Sequence, residues 1–246
     1  MNGNGTVTTL TVRPLLPEPL GGSGQSYANA MFTATPNAAA NNTTITVSGV
    51  TDVSDCFRSG TQIATPAGDV PVERLAAGDR VLTHSGEVRR VIWTGSRTIV
   101  FRDNATSELW PIRISPNAFG PGQPCRDLFL SPDHAVFVDG VLIPIRYLIN
   151  GKTIRQIATD RVTWHHIELE EHDIVLAEGL AAESYLDHGD RGFFADSGKP
   201  VRLSPDFGVR NWEMAGCAPL IVTGPALVIA RAMLADRANS AAMHMA

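Results

Sequence analysis

Two segments of this chain repeat one pattern of residues at a constant offset of 73 positions. Each copy reads proline, an apolar residue, then leucine, glycine and a second apolar residue at identical spacings. The copies are Pro71-Val72, Leu75, Gly78 and Val81, and Pro144-Ile145, Leu148, Gly151 and Ile154. Such a repeat predicts a domain built from two similar halves. The alternative is coincidence among residues that are common in turns.

Short strands separated by turns dominate the chain from Cys56 onward. Runs of apolar and β-branched residues alternate with turn-forming residues, as is typical of antiparallel sheets. The predicted strands lie at 81–83, 90–93, 111–114, 135–138 and 167–169. The pair Asp139-Gly140 predicts a tight hairpin after the fourth of these. We therefore expect a mostly β fold.

Three regions differ in composition. Residues 1–55 are rich in small and polar residues, so we interpret them as a polar leader or the remnant of a β-rich passenger. Residues 56–190 carry the strand signals and form the predicted domain. Residues 191–246 form an extension, in which Leu227, Ala230, Met233 and Leu234 predict a helix over about 225–242. We expect this helix to pack onto the β domain, because its apolar face needs cover.

The overall composition disfavours several partners. A net charge of −5 at pH 7 provides no basic surface for nucleic acid. No run of 18 apolar residues occurs, so we expect no membrane span. The N-terminus has neither a basic start nor an apolar core, so no secretory signal is predicted. The compartment stays open, although the leader suggests a secreted or surface-associated parent protein.

The three cysteines, Cys56, Cys125 and Cys217, match neither a disulfide framework nor a zinc pattern, which predicts free thiols. His165 and His166 alternate faces if they lie on a strand, so at most one of them can face a given pocket. We therefore predict no metal site and no cofactor.

Cys56 is the residue around which chemistry is predicted. It precedes a Gly60-Thr61 turn and the start of an apolar strand, an arrangement that presents a thiol at a strand end. This thiol can attack the carbonyl carbon of Asp55 and convert the Asp55–Cys56 amide into a thioester. The reaction needs a nucleophile, an acid for the departing nitrogen and donors for the oxyanion. Thr61 is expected to fix the turn behind the nucleophile.

A second motif, Leu130-Ser131-Pro132-Asp133-His134, lies at the head of another predicted strand. His134 can supply the proton to the departing nitrogen, because imidazole titrates near neutral pH. Ser131 can orient the scissile amide or donate to the oxyanion. Asp133 lies between them and is expected to tune the imidazole.

Three blocks of the chain resemble the Hint domains, the modules shared by Hedgehog autoprocessing regions and inteins. The segment CFRSGTQIATPAGDVPVERLAAGDRVLT resembles their opening motif, and LSPDHAVFV is similar to their second motif, with Ser131 where threonine is typical. HHIELEEHDIVLAEGLAAESY resembles the closing block. The resemblance covers about residues 55–190 and is strongest to bacterial proteins of the Hedgehog/intein type. It implies a pseudo-twofold Hint fold of short antiparallel strands.

The resemblance also implies roles for His172 and Asp173. His172 matches the closing-block histidine, which could assist near the scissile bond, and Asp173 beside it would be in reach of the site. The alternative for His172 is an ordinary surface histidine.

The closing block departs from inteins in a way that limits the reaction. Inteins end this block in His-Asn followed by Cys, Ser or Thr, whereas the aligned positions here hold Glu183, Ser184 and Tyr185. Without the asparagine no succinimide forms, and tyrosine is a poor acyl acceptor, so full splicing is not expected. No sterol-binding region is recognisable, which leaves water or a small nucleophile as the expected acceptor.

Three hypotheses follow. The first is a single-turnover, self-cleaving domain that uses its own N-terminal segment as substrate and breaks the Asp55–Cys56 bond. The second is a catalytically degenerate Hint-like domain with a structural or interaction role. The third is a cysteine hydrolase that acts on other molecules, which would need an open pocket beside Cys56.

Overall fold

The computed structural model describes residues 31–37, 42–48, 55–101, 109–186 and 215–243, and within these ranges the fold is mostly β, as predicted. The strands in chain order are β1 (Met31–Asn37), β2 (Asn42–Ser48), β3 (Phe57–Arg58), β4 (Gln62–Ile63), β5 (Val70–Pro71), β6 (Arg80–Leu82), β7 (Val88–Val100), β8 (Ile112–Ile114), β9 (Leu128–Leu130), β10 (Ala135–Val138), β11 (Val141–Pro144), β12 (Ile154–Gln156), β13 (Arg161–Leu169), β14 (Ile174–Ala177) and β15 (Leu180–Glu183). Short 3-10 helices cover Val72–Arg74 and Ile145–Leu148, and helix α1 covers Pro225–Met243. The rest of the predicted leader and residues 187–214 and 244–246, mostly in the predicted extension, lie outside the described residues.

Within the described ranges the strands form three sheets. Strands β1 and β2 pair with each other. A six-stranded sheet has the order β11-β10-β15-β14-β4-β5, and a seven-stranded sheet has the order β12-β8-β9-β3-β13-β7-β6. Every pairing between these strands is antiparallel. The arrangement agrees with the predicted fold of short antiparallel strands.

The sequence repeat corresponds to a structural repeat. Pro71 and Pro144 each end a strand and start a 3-10 helix, with φ and ψ of −57° and 134° in the first copy and −56° and 132° in the second. Gly78 and Gly151 then turn the chain into β6 and β12 with φ of +101° and +72°, a region that favours glycine. The two halves therefore share one local conformation, which is the predicted pseudo-twofold relation.

The apolar positions of the repeat lie in the main hydrophobic core. They are Val72, Leu75, Val81, Ile145, Leu148 and Ile154, all of them buried. A second, smaller cluster surrounds Cys56 and contains Phe101, Leu109, Val162 and Trp164. The predicted nucleophile therefore lies in apolar surroundings.

Helix α1 closes part of the core, as expected for the predicted C-terminal helix. Its buried face consists of Leu227, Ala230, Leu234 and Ala238, with Met233 partly buried. Arg231 fixes the helix to the second 3-10 helix by donating from Nε to the carbonyl of Tyr147 at 2.6 Å. No helix in the described part of the chain is long and apolar enough to span a membrane.

The segment before α1 runs along the edge of the six-stranded sheet. The N–H of Leu142 in β11 donates to the carbonyl of Pro219 at 2.9 Å, and Ile221 donates to the carbonyl of Leu142 at 2.8 Å. These bonds cover an otherwise open strand edge. They also bring residues 215–221 toward the site described next.

Candidate functional site

Cys56 directly precedes β3, which lies between β9 and β13 in the seven-stranded sheet. Its side chain is fully buried. The turn after β3 is held by Thr61, which donates from its hydroxyl to the carbonyl of Arg58 at 2.7 Å. Thr61 therefore lies where the sequence places it, in the turn that follows the nucleophile.

Ser131 contacts both backbone polar groups of Cys56. The N–H of Cys56 donates to Oγ of Ser131 at 2.9 Å, and the N–H of Ser131 donates to the carbonyl of Cys56 at 3.1 Å. The Ser131 hydroxyl also lies 3.5 Å from the same carbonyl. The nitrogen of the Asp55–Cys56 bond is thus held by one buried hydroxyl, so Ser131 is placed to orient that amide.

His134 lies beside the same backbone. Its ring packs edge-on against Phe57 with the centroids 4.3 Å apart. Burial lowers the pKa of His134 to about 3, although the backbones of Cys56 and Glu183 act in the opposite direction, and nearby His166 and His172 lower it further. Among the described residues, neither ring nitrogen has a hydrogen-bond partner of ordinary distance and angle. His134 is therefore a neutral imidazole at pH 7, beside the backbone of Cys56.

A second histidine contacts the thiol itself. Sγ of Cys56 lies 3.0 Å from Nε2 of His166, and both residues are buried. His165 points to the other face of β13, where its Nε2 lies 2.7 Å from Oγ of Ser59 at the surface. The alternation of the two histidines agrees with the sequence analysis, but the contact of His166 with Cys56 was not predicted.

Asp55, the residue on the acyl side of the scissile bond, has an unusual backbone conformation. Its φ is +50°, in the left-handed region that few residues other than glycine adopt, with asparagine and aspartate the commonest exceptions. The residue is 6% exposed. Its side chain hydrogen-bonds with that of Glu183, at the end of β15. A strained, buried residue therefore lies directly before the nucleophile.

His172 is buried beside Glu183, which removes the alternative of an ordinary surface histidine. Its Nδ1 accepts a hydrogen bond from the N–H of Cys217 at 3.0 Å, and its Nε2 lies 3.7 Å from Oε2 of Glu183. Burial lowers the pKa of His172 to about 4, while the Ser184 backbone and the Asp173 charge raise it. Because Nδ1 accepts, the neutral ring carries its proton on Nε2, which faces Glu183.

The two aspartates predicted from the sequence to lie near the site each form an ion pair with an arginine. Asp173 accepts from Nε of Arg89 at 3.0 Å, and Asp133 accepts from an Arg146 nitrogen at 2.7 Å. Each is a buried or half-buried carboxylate whose charge an arginine compensates. Neither ion pair includes Cys56, although the charge of Asp173 raises the pKa of His172 and the charge of Asp133 raises the pKa of Glu183.

The structure thus brings Asp55, Cys56, Ser131 and His134 together. His172 lies near this group, on the other side of Glu183, which contacts both Asp55 and His172. His166 and Glu183 are the members that sequence reasoning did not assign. The sequence signals for them were the alternation of His165 and His166 on one strand and the place of Glu183 at the end of the closing block, where inteins carry His-Asn. No group of three or more potential metal ligands occurs in the part of the chain that the structure describes.

The described fold is similar to several solved inteins. The MchDnaB-1 intein shares 15% identity, with 52% of this chain and 99% of that chain covered and a TM-score of 0.39. An intein-like domain from Clostridium thermocellum shares 18% identity over 53% of this chain and 99% of that chain, with a TM-score of 0.40. A DnaB intein from Synechocystis sp. PCC 6803 shares 8% identity over 53% and 99%, with a TM-score of 0.37.

None of the curated proteins matches the chain. Residues 55–189, however, match the family described as the Hint domain. The match begins at the residue before Cys56 and includes Ser131, His134 and His172. Since it extends over more than half of the sequence and agrees with the mostly β, pseudo-twofold fold, the chain belongs to the Hint domain family.

Proposed function

We propose that this Hint domain cleaves its own chain at the Asp55–Cys56 bond through a thioester, without completing a splice. The observation that carries the proposal is the set of contacts on one residue. The Cys56 thiol contacts His166, its nitrogen contacts Ser131, and its backbone lies beside His134. A structural cysteine needs none of these polar partners.

The first step is an N-to-S acyl shift. Sγ of Cys56 adds to the carbonyl carbon of Asp55 as its proton passes to Nε2 of His166, 3.0 Å away. The carbon–nitrogen bond then breaks, which leaves a thioester between Asp55 and the sulfur and a free amine on Cys56. One proton has moved from sulfur to nitrogen overall, so the step is balanced.

His134 is the proposed donor to the departing nitrogen. Because its pKa is about 3, the ring is neutral at pH 7 and must receive a second proton before it can act as an acid. The proton that it delivers must therefore originate from the thiol and pass within the buried site. Ser131 keeps the nitrogen oriented throughout, since its hydroxyl accepts from that N–H at 2.9 Å.

The second step is attack on the thioester by water or another small nucleophile. The carbon–sulfur bond breaks and the Cys56 thiol is restored, so that the products are a fragment ending at Asp55 and a fragment starting at Cys56. Asparagine cyclisation has no counterpart, because Glu183 and Ser184 occupy the positions where inteins end in His-Asn. The Ser184 hydroxyl instead accepts a hydrogen bond from the N–H of Asp173 at 3.1 Å.

Burial of the nucleophile favours self-processing over hydrolysis of other molecules. Cys56 and Ser131 are each 0% exposed, so an external substrate has no direct path to the sulfur. The substrate of a self-processing domain is already in place, because it is the residue that precedes the cysteine.

Trapping the thioester tests the proposal. Neutral hydroxylamine cleaves thioesters and leaves ordinary peptide bonds intact, so wild-type protein should release a fragment that ends in a hydroxamate on Asp55. Cys56→Ser and Cys56→Ala should release none under the same conditions. Equal release from Cys56→Ala would contradict the thioester, and its absence from the wild type would favour the degenerate, structural role.

A further inference from the structure

Glu183 is a buried carboxyl group to which the acyl shift gives no role. It is 1% exposed and ends β15. Its Oε1 accepts from the N–H of Ala135, the neighbour of His134, at 2.5 Å. Its Oε2 lies 3.7 Å from Nε2 of His172, and its side chain hydrogen-bonds with that of Asp55. Glu183 therefore connects the scissile residue to His172 and, through the backbone of Ala135, to the segment that carries His134.

The contact between Asp55 and Glu183 requires a shared proton. An ionised carboxylate only accepts hydrogen bonds, so two carboxyl groups can bond to each other only when one is protonated. Burial raises the pKa of Glu183 to about 8, and the charge of Asp133 raises it further, while the hydrogen bonds from Ala135 and with Asp55 lower it. At neutral pH the pair of carboxyl groups therefore holds at least one proton.

We propose that Glu183 is a positioning residue that recognises the carboxyl group of residue 55 and holds its strained backbone ready for attack by Cys56. This inference rests on the proposed self-cleavage and deepens it, because it assigns a determinant of cleavage-site specificity. The ligand is the side chain of the chain's own residue 55, and the required chemistry is a short side chain with a carboxyl or amide group.

The conformation of Asp55 supports this role. A φ of +50° is costly for a residue with a side chain, and such strain persists where surrounding contacts over-determine the conformation. The hydrogen bond with Glu183 is such a contact, since Glu183 is itself fixed to the backbone at Ala135. The pair therefore couples the side chain of residue 55 to the orientation of its carbonyl.

Several charged or titratable groups face Glu183 from the elements around it. They are Asp55 before β3, Asp133 and His134 before β10, His172 before β14 and Cys217 in the segment before α1. His134 and His172 have lowered pKa values and are neutral near pH 8, and burial raises the pKa of Cys217 to about 12. The pair of carboxyl groups is thus the part of this cluster expected to change charge near pH 8.

The test compares hydroxylamine-induced release across pH in the full chain. The variants are Glu183→Gln, Glu183→Leu, Asp55→Asn and Asp55→Leu, with the exposed Glu170→Gln as a matched control. The ratio of the wild-type rate to the Glu183→Gln rate should fall about tenfold between pH 6.5 and pH 9, because only the wild type has a Glu183 carboxyl group to ionise, with a pKa of about 8. The ratio for Glu170→Gln should stay constant.

The leucine variants test whether the polar group of residues 55 and 183 is needed, and not merely a side chain of similar size. Glu183→Leu and Asp55→Leu each leave one buried polar partner behind and should slow release at least about tenfold at pH 6.5. Asp55→Asn, which keeps a hydrogen bond to Glu183, should retain more activity than Asp55→Leu. A pH-independent ratio for Glu183→Gln, or leucine variants as fast as the wild type, would overturn the proposal.

A second measurement distinguishes failure of this inference from failure of the cleavage proposal. In Cys56→Ala, which cannot form the thioester, carbon-13 NMR of the glutamate carboxyl groups follows Glu183 directly. One resonance should titrate near pH 8 and disappear in the Glu183→Gln double variant. It should move to higher pH with Asp55→Leu, which removes the hydrogen bond that lowers the pKa of Glu183. If no glutamate titrates above pH 6, the shared proton is ruled out, whatever the wild type does.

Discussion

The sulfur of Cys56 lies 3.0 Å from Nε2 of His166, and both side chains are almost fully buried. This contact connects residues 110 positions apart, because β13 pairs with β3 in the centre of the seven-stranded sheet. A thiol in hydrogen-bond contact with an imidazole has a base in place to take its proton. His166 is therefore the residue expected to activate the nucleophile.

Replacement of His166 should slow cleavage strongly. Loss of a general base that contacts the nucleophile typically costs about 10²- to 10⁴-fold in rate. We expect His166→Gln to reduce hydroxylamine-induced release within that range. The adjacent His165→Gln is the matched control, since His165 contacts Ser59 at the surface, and it should cleave at the wild-type rate. Equal losses in the two variants would contradict the assignment.

Ser131 should be replaceable by threonine but not by alanine. Ser131→Ala removes the hydroxyl that accepts from the Cys56 nitrogen at 2.9 Å and leaves this buried N–H without its partner. We expect about a tenfold loss of release rate. Ser131→Thr keeps the hydroxyl and should retain most of the activity. Equal cleavage rates for Ser131→Ala and Ser131→Thr would contradict a role for the Ser131 hydroxyl.

Glu183 should make the stability of the domain fall as pH rises. Its pKa is about 8 in the folded chain against 4.5 for an ordinary glutamate, so between these values the unfolded state has lost a proton that the folded state keeps. In the Cys56→Ala parent, Glu183 should therefore lower the free energy of unfolding by up to about 1.4 kcal/mol for each pH unit in this range. Glu183→Gln should abolish this decrease. Denaturant unfolding at pH 5 and pH 8 measures this. A difference between the variants that does not change with pH would contradict it.

His172 should have the opposite effect in acid. Its pKa is about 4 in the folded chain against 6.5 for an ordinary histidine, so the folded state resists protonation. This contribution to stability is complete above about pH 6.5 and is lost as pH falls toward 4. In the Cys56→Ala background, His172→Gln should be less sensitive to acid than its parent. His84, whose ring packs on Phe137 outside the site, provides the control, and His84→Gln should follow the parent.

The two halves of the repeat should respond alike to one substitution. Gly78 and Gly151 have φ of +101° and +72°, and a Cβ built on either meets no atom within 4 Å. Gly78→Ala and Gly151→Ala should therefore each cost about 1–2 kcal/mol of unfolding free energy through backbone strain alone. If Gly78→Ala and Gly151→Ala lower the unfolding free energy by widely different amounts, the two turns are not equivalent.

Local patterns made much of the fold predictable. The repeated Pro71 and Pro144 start matching 3-10 helices, the predicted strand at 135–138 is β10, and the apolar face of α1 is buried. Each of these depends on residues close together in the sequence. The order of strands in the sheets does not, because it depends on which distant segments pair.

The same distinction separates the predicted from the unpredicted parts of the site. Cys56, Ser131 and His134 belong to recognisable local motifs, whereas the position of His166 depends on the pairing of β13 with β3. Asp133 and Asp173 were expected near the chemistry because of their neighbours in sequence. The structure directs them to Arg146 and Arg89, partners that only tertiary packing provides.

Intact-mass spectrometry of the wild type and Cys56→Ala, incubated with dithiothreitol, tests the central claim most directly. We predict two wild-type masses, one for a fragment that ends at Asp55 as an acid or thiol adduct and one for a fragment that begins at Cys56. For Cys56→Ala we predict a single, uncleaved mass. A wild-type chain that stays whole over days, or a Cys56→Ala chain cut at the same bond, would contradict it.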